Sequence, residues 1–176
     1  AYPKYADLGV SVNLSAKQFL QNDLIDQISN TVERSQLQMG HLELEITESV
    51  VMENAQSARV MLQRLKHLGV GLSVDDFGTG YSSLAYLQQL PLDTLKIDRS
   101  FVIRMDERQQ DVEIVRAIVA MAHNLGKRVV AEGVETAAHA RELAAIGCDF
   151  FQGYYFARPA TAEQACDLLG TPPFTW

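Results

Sequence analysis

Short apolar runs of β type alternate with helical patterns along the whole chain, and each β-type run ends in a residue able to bind a metal or a phosphate. Val10-Ser11-Val12 leads into Asn13, and residues 42–46 carry Glu43 and Glu45, with Glu48 just beyond. Residues 70–74 run into Asp75-Asp76, and residues 94–97 contain Lys96 and are closed by Asp98. Residues 129–131 meet Glu132 and Glu135, and Phe150-Phe151 precedes Gln152. Between them the apolar spacing predicts helices over 18–35 with Ser15 as N-cap, over 54–68 with Asn54 as cap and Gly69 as stop, and over 111–125 stopped by Gly126. Two more are predicted over 136–146, ending at Gly147, and 161–169, ending at Gly170. Strands alternating with helices specify a parallel sheet with helical crossovers. The runs at 70–74 and 129–131 are too evenly apolar to keep one face wet, as expected of buried parallel strands.

Composition narrows what such a sheet can serve. A chain of 176 residues suits one domain that buries about 70% of its unfolded surface. There is no apolar run of the roughly 20 residues that a membrane span needs. The opening Ala1-Tyr2-Pro3-Lys4-Tyr5 lacks the basic-then-apolar pattern of a secretory leader. A net charge of −7 argues against binding long nucleic acid through a basic face, but not against a small phosphate ligand held through metal. Cys148 and Cys166 have no metal-type spacing and form no disulfide framework, so a reducing, cytoplasmic setting is expected. The charged stretch 104–111 reads as a solvated loop before a helix.

Alternating units fit either an open doubly wound sheet or a closed barrel. Neither G-x-G-x-x-G nor G-x-x-x-x-G-K occurs, whereas functional residues follow from strand end after strand end. That distribution favours an α/β barrel of TIM type, with its site at the C-terminal ends of the strands. Such a barrel has eight strands, and only six runs are present.

Asn13, Glu45, Asp75, Asp76 and Glu132 are hard oxygen donors, and none of His41, His67, His123 and His139 sits at a strand end. Oxygen-only ligation selects Mg²⁺, Mn²⁺ or Ca²⁺ over zinc or copper. Adjacent Asp75 and Asp76 would point to opposite faces of a regular strand, so both serve one site only if the strand ends there; Phe77-Gly78-Thr79-Gly80 supplies the break. Two carboxylates ~4 Å apart repel by roughly 4 kcal/mol at an effective dielectric of 20, which a cation between them reverses. In a two-metal site Asp75 is a natural bridge, and Lys96 suits holding a phosphate oxygen or orienting an attacking water. Duller readings exist for each: Lys96 as an ion-pair partner of Asp98, the 77–83 loop as an ordinary turn, and Glu132 and Glu135 as acids at a helix N-terminus.

The segments Val12-Asn13-Leu14-Ser15, Glu45-Ile46-Thr47-Glu48, Asp75-Asp76-Phe77-Gly78-Thr79-Gly80-Tyr81-Ser82-Ser83-Leu84, Leu95-Lys96-Ile97-Asp98, Glu132-Gly133-Val134-Glu135 and Gln152-Gly153-Tyr154 resemble, in order, the motifs of the EAL domain family. These are bacterial phosphodiesterases that hydrolyse cyclic di-GMP to linear pGpG on a modified (βα)₈ barrel. The resemblance spans about residues 10–159. It implies that Asn13, Glu45 and Asp75 bind a first Mg²⁺ or Mn²⁺, that Asp76 with Asp75 serves a second, and that Lys96 contacts the catalytic water. Glu132 matches a general base or second-metal ligand, and Glu135 and Gln152 match further site residues. Glu48 matches the residue anchoring the 75–84 loop, with its Gly78, Thr79 and Gly80. In the family that loop couples metal binding to dimerisation through the next helix, here 82–89.

The family's Glu-Ala-Leu segment, whose glutamate also binds the first metal, occurs nowhere in the chain. The expectation is therefore a partial EAL domain over 1–170, lacking two N-terminal strands, with a tail at 171–176. It should have little activity of its own and should associate as a homodimer or exchanged oligomer. Further signalling domains are expected in the parent protein. A non-catalytic cyclic di-GMP receptor or interaction module is the second reading, and an unrelated enolase-type metal-dependent barrel the third.

Overall fold

The structure is a computed structural model that describes residues 8–53, 55–80 and 84–169. The chain packs as two compact units, Ala1–Lys96 with Leu125–Lys127 and Ile97–Asn124 with Arg128–Trp176.

In the first unit the strands β1 (Val10–Asn13), β2 (Leu42–Thr47), β3 (Gly71–Phe77) and β4 (Thr94–Ile97) lie side by side in that order. β1–β2 and β2–β3 run parallel, with Asn13 opposite Glu45 and Thr47 opposite Asp75. Helical crossovers separate them, as parallel pairing requires. Side chains alternate across a strand, so Leu44, Ile46, Leu72, Val74 and Leu95 share one face. All of them are buried, and helix α4 (Ala55–Leu68) packs along β3 with Leu62 and Leu65 fully buried. The opposite face carries Asn13, Glu45, Ser73, Asp75 and Lys96. The polar residues are thus sorted from the core by the two-residue period alone.

Three details depart from the sequence reading. The helix expected over 18–35 is two helices, α1 (Ala16–Phe19) and α2 (Leu24–Ser35). Ser15 closes a capping box with Gln18 on α1, and the chain leaves the helix at Leu20 and re-enters it at Leu24, where Asp23 stands at the N-cap and accepts from the Gln27 side chain at 2.9 Å. A short helix, α3 (Glu48–Glu53), follows β2 directly. β3 does not stop at Val74: it continues to Phe77, and Asp76 within it has φ 55°. The expected Asn54 cap, the start of the 82–89 helix at Ser82, the Gly170 stop and the tail lie outside the described residues; the helix observed is α5 (Leu84–Gln89).

Lys127 belongs to the first unit and is buried. Its ammonium donates to the carbonyls of Leu90 and Leu92 at 3.3 and 3.0 Å. Burial lowers its pKa, partly opposed by the charge of Asp93.

In the second unit β5 (Arg128–Glu132) and β6 (Phe150–Gln152) pair in parallel, with Glu132 opposite Gln152. Helices α6 (Arg99–Ile103) and α7 (Gln109–Asn124) pack on β5, and α7 also packs on α8 (Ala137–Ile146). Val112, Val115, Val119, Ala122, Val129, Ala131, Ala140 and Leu143 form its core. Thr136 caps α8 by accepting from the His139 N–H, Gly147 ends it, and Thr161 forms a capping box on α9 (Ala162–Leu168). The 104–111 stretch is not simply solvated: Arg104 grips the buried Asp111 with two hydrogen bonds of 3.1 and 3.2 Å. A guanidinium fork matches a carboxylate in this way, and sequence spacing does not reveal it. Cys148 and Cys166 are both unbonded.

Candidate active site

The polar face of the first unit converges on Lys96. Its ammonium lies 2.5 Å from Glu45 Oε2 and 3.0 Å from Asp75 Oδ1. Lys96 and Glu45 are 3% and 8% exposed, so this is an ion cluster largely out of water. Two carboxylates against one ammonium leave a net negative charge in a low dielectric, where adding a cation is favoured. Asn13 is exposed and stands opposite Glu45 in the β1–β2 register, and the Leu14 N–H donates to the Glu45 carbonyl at 2.8 Å. Lys96 is not the partner of Asp98. Asp98 instead caps α6, accepting from the Ser100 N–H at 2.9 Å.

Asp76 resolves the difficulty of adjacent aspartates in a way different from the strand ending expected. Its left-handed backbone (φ 55°) breaks the alternation inside the strand, and its N–H donates back to Asp75 Oδ1 at 3.0 Å. Asp tolerates this region better than most residues, at a cost of order 1–3 kcal/mol. Thr79 Oγ1 then donates to the Asp76 carbonyl at 2.8 Å. The loop that follows is pinned from beneath by Glu48, 2% exposed, which accepts from the Gly78 N–H at 2.9 Å. A Cβ on Gly80 would stand 2.7 Å from Glu48 Oε1, so a larger residue there would push the carboxylate from its place under the loop. The 77–83 loop is therefore no ordinary turn as far as Gly80; Tyr81, Ser82 and Ser83 lie outside the described residues.

The second unit brings Glu132, Glu135 and Gln152 together. They line a cavity of about 170 Å³ with Arg99, Gly133, Gly153 and Tyr154. The segment after β5 lies over the end of β6, with the Val134 N–H donating to the Gln152 carbonyl and the Tyr155 N–H to the Val134 carbonyl, both at 3.0 Å. The Glu135 N–H donates to His139 Nδ1 at 3.4 Å. Neither glutamate is in the first turn of α8, so the helix-dipole alternative is not realised. Sequence reasoning did not single out Arg99 as a site residue. The available signal was its position three residues past Lys96, just beyond a strand end.

The EAL domain family profile matches residues 3–159. The chain belongs to the EAL domain family. It is 48% identical over 160 residues to the bifunctional diguanylate cyclase/cyclic di-GMP phosphodiesterase MucR of Pseudomonas aeruginosa, covering 91% of this chain and 23% of MucR. Among solved structures, the MucR phosphodiesterase in complex with c-di-GMP superposes with a TM-score of 0.89 at 47% identity, over 93% of this chain and 66% of that one. BlrP1 of Klebsiella pneumoniae, in a manganese/cy-diGMP complex, gives a TM-score of 0.82 at 30% identity, over 89% of this chain and 40% of that one. The EAL chain thus has the fold class expected: α/β, an incomplete TIM-like barrel of parallel strands and crossover helices. It spans about a quarter of MucR's length. Among the described residues no helix is long and apolar enough to cross a membrane.

Proposed function

We propose that the protein containing this EAL chain is a metal-dependent phosphodiesterase that hydrolyses cyclic di-GMP to linear pGpG. The observation that carries this is the buried Lys96–Glu45–Asp75 cluster, net negative and made of hard oxygen donors, with Asn13 in register beside it. An excess of carboxylate oxygen over ammonium suits a hard divalent cation, which is bound by such oxygens.

In this proposal Asn13, Glu45 and Asp75 hold a first Mg²⁺ or Mn²⁺, and Asp76 and Glu132 contribute to a second. The donor set fits such ions, being all oxygen and carrying several charges. When bound, the ions stabilise the attacking and leaving oxygens of the phosphodiester and lower the pKa of a water. Lys96 holds that water or a phosphate oxygen. Glu132 serves either as that second-metal ligand or as the general base. Glu135 and Gln152 contact substrate. Glu48, through Gly78, Thr79 and Gly80, fixes the loop that carries Asp76.

Two copies are proposed to associate. The resemblance to the family, in which the loop after Asp76 couples metal binding to dimerisation, supports this. A cytoplasmic setting and further signalling domains are part of the proposal, the latter supported by the greater length of the relatives. The test is turnover of cyclic di-GMP to pGpG by the protein at its natural length with Mg²⁺ or Mn²⁺. Turnover that disappears in Asp75→Asn supports the proposal. Binding with no turnover means a receptor, and no binding removes cyclic di-GMP altogether. The chain alone, which has no Glu-Ala-Leu glutamate, is expected to turn over negligibly.

A further inference from the structure

The cavity of the second unit contains a cation that the proposed chemistry leaves unused. Arg99 is exposed, and among the described residues its guanidinium makes no ion pair or hydrogen bond, although Glu132 and Glu135 line the same cavity. Its place is fixed by the backbone across from it. Gly133 has φ 72°, and a Cβ there would stand 2.6 Å from Arg99 Cβ, so a glycine lets the two segments approach. The Asp98 cap on the Ser100 N–H holds the start of α6 from the other side. The base of the side chain is thus fixed at the cavity, and its planar guanidinium, with five donors, matches a planar acceptor pair.

The volume decides how much of a ligand enters. About 170 Å³ is well below the roughly 300–1,000 Å³ that takes a whole drug-sized ligand, so the cavity takes one base and not the dinucleotide. The lining decides which base. Two carboxylates disfavour a bare phosphate but accept from ring N–H and amino groups. A guanidinium donates to paired acceptors, and Tyr154, with the Arg158 guanidinium 4.6 Å over one side of its ring, stands at the wall. Guanine alone among the bases has N1–H and N2–H₂ donors on one edge and O6 and N7 acceptors on the other; adenine sets an amino group where guanine has O6.

We infer that Arg99 is the specificity-determining residue for one guanine of the substrate, donating from its guanidinium to O6 and N7 while Glu135 accepts from N1–H and N2–H₂. This rests on the proposal that cyclic di-GMP is the substrate. Bidentate arginine–guanine recognition predicts that Arg99→Ala weakens cyclic di-GMP binding roughly 10- to 100-fold. Arg99→Lys should restore little, because a single ammonium cannot span two acceptors.

The test is titration calorimetry of the wild type, Arg99→Ala and Arg99→Lys, at natural length, with cyclic di-GMP and with cyclic di-AMP. Melting temperatures should be unchanged, since Arg99 is exposed. The inference holds if wild type prefers cyclic di-GMP and both variants lose that preference by weakening the guanine ligand only. Equal weakening of both dinucleotides overturns it in favour of a phosphate contact, as does full recovery in Arg99→Lys. Wild-type affinity in Arg99→Ala overturns the Arg99 inference and leaves the substrate standing. A wild type that binds neither dinucleotide overturns both.

Discussion

The candidate site residues of the two units are built on opposite principles. In the first, charges lie largely out of water and meet each other: Lys96 pairs with Glu45 and Asp75, and Glu48 holds a loop. In the second, charges line an open cavity, and Arg99 has no ion-pair partner among the described residues. Burial makes the first group expensive to disturb and suited to chemistry, where fixed charges act in a low dielectric. Exposure makes Arg99, Glu135 and Gln152 of the second cheap to disturb and suited to recognition, where donors and acceptors meet a ligand. The same residue types serve both, and solvent access separates their roles.

Lys96→Met should break this contrast most severely. It leaves two carboxylates without their ammonium, and removing one partner of a buried pair costs about 3–5 kcal/mol, read from urea unfolding in metal-free buffer. Saturating Mn²⁺ should recover part of that loss if the carboxylates take a cation. No loss on Lys96→Met would mean that the cluster is not buried in solution. Next, Gly80→Ala drives a methyl against the Glu48 carboxylate and should cost roughly 1–3 kcal/mol, as overpacking does. A neutral result would mean that the loop does not rest on Glu48.

A smaller, pH-dependent effect is expected in the second unit. Burial raises the Asp149 carboxyl, but hydrogen bonds from the His123 ring at 2.9 Å and the Val129 N–H at 2.7 Å, with the charges of His123 and Arg128, outweigh it. The net effect holds the group below its ordinary value of 3.8. A depressed folded pKa contributes stability above that ordinary value, lost as pH falls through the folded one. Asp149 is partly exposed, so Asp149→Asn should lower Tm at pH 7 by at most about 2–4 °C. The difference from wild type should shrink at pH 3, and a difference constant with pH would refute the assignment. The smallest effect is expected for Gln152→Ala, within about 0.5 kcal/mol in stability because its side chain lies at the cavity wall. Affinity for cyclic di-GMP should nonetheless fall, and a stability loss like that of Lys96→Met would erase the contrast between the two sites.

Much of the fold was legible because apolar periodicity is a local signal. All six strands appear where the runs lie, and Gly69, Gly126 and Gly147 end helices as expected. What was missed is too short for apolar periodicity to register: α3 and α6, of six and five residues, and the break between α1 and α2. The strand through Asp75-Asp76-Phe77 was misjudged because alternation assumes extended backbone, and the left-handed turn at Asp76 leaves no trace in hydrophobicity. The chemistry of the candidate site was legible in residue type, since carboxylates and one lysine at strand ends are conspicuous. Its pairings were not. Lys96 and Glu45 are 51 residues apart, and the obvious neighbour, Asp98, was occupied by a helix cap.

By itself the sequence determined the alternation of strands and helices, the family, and the hard-oxygen character of the donors, because each depends on residue type and short-range order. Tertiary structure alone decided that Lys96 faces two carboxylates, that Glu48 supports a loop through Gly78, and that Arg99 lines a cavity with Glu135. Those facts depend on parallel register and on crossovers that bring distant segments within a few ångströms, and no local pattern encodes such distances.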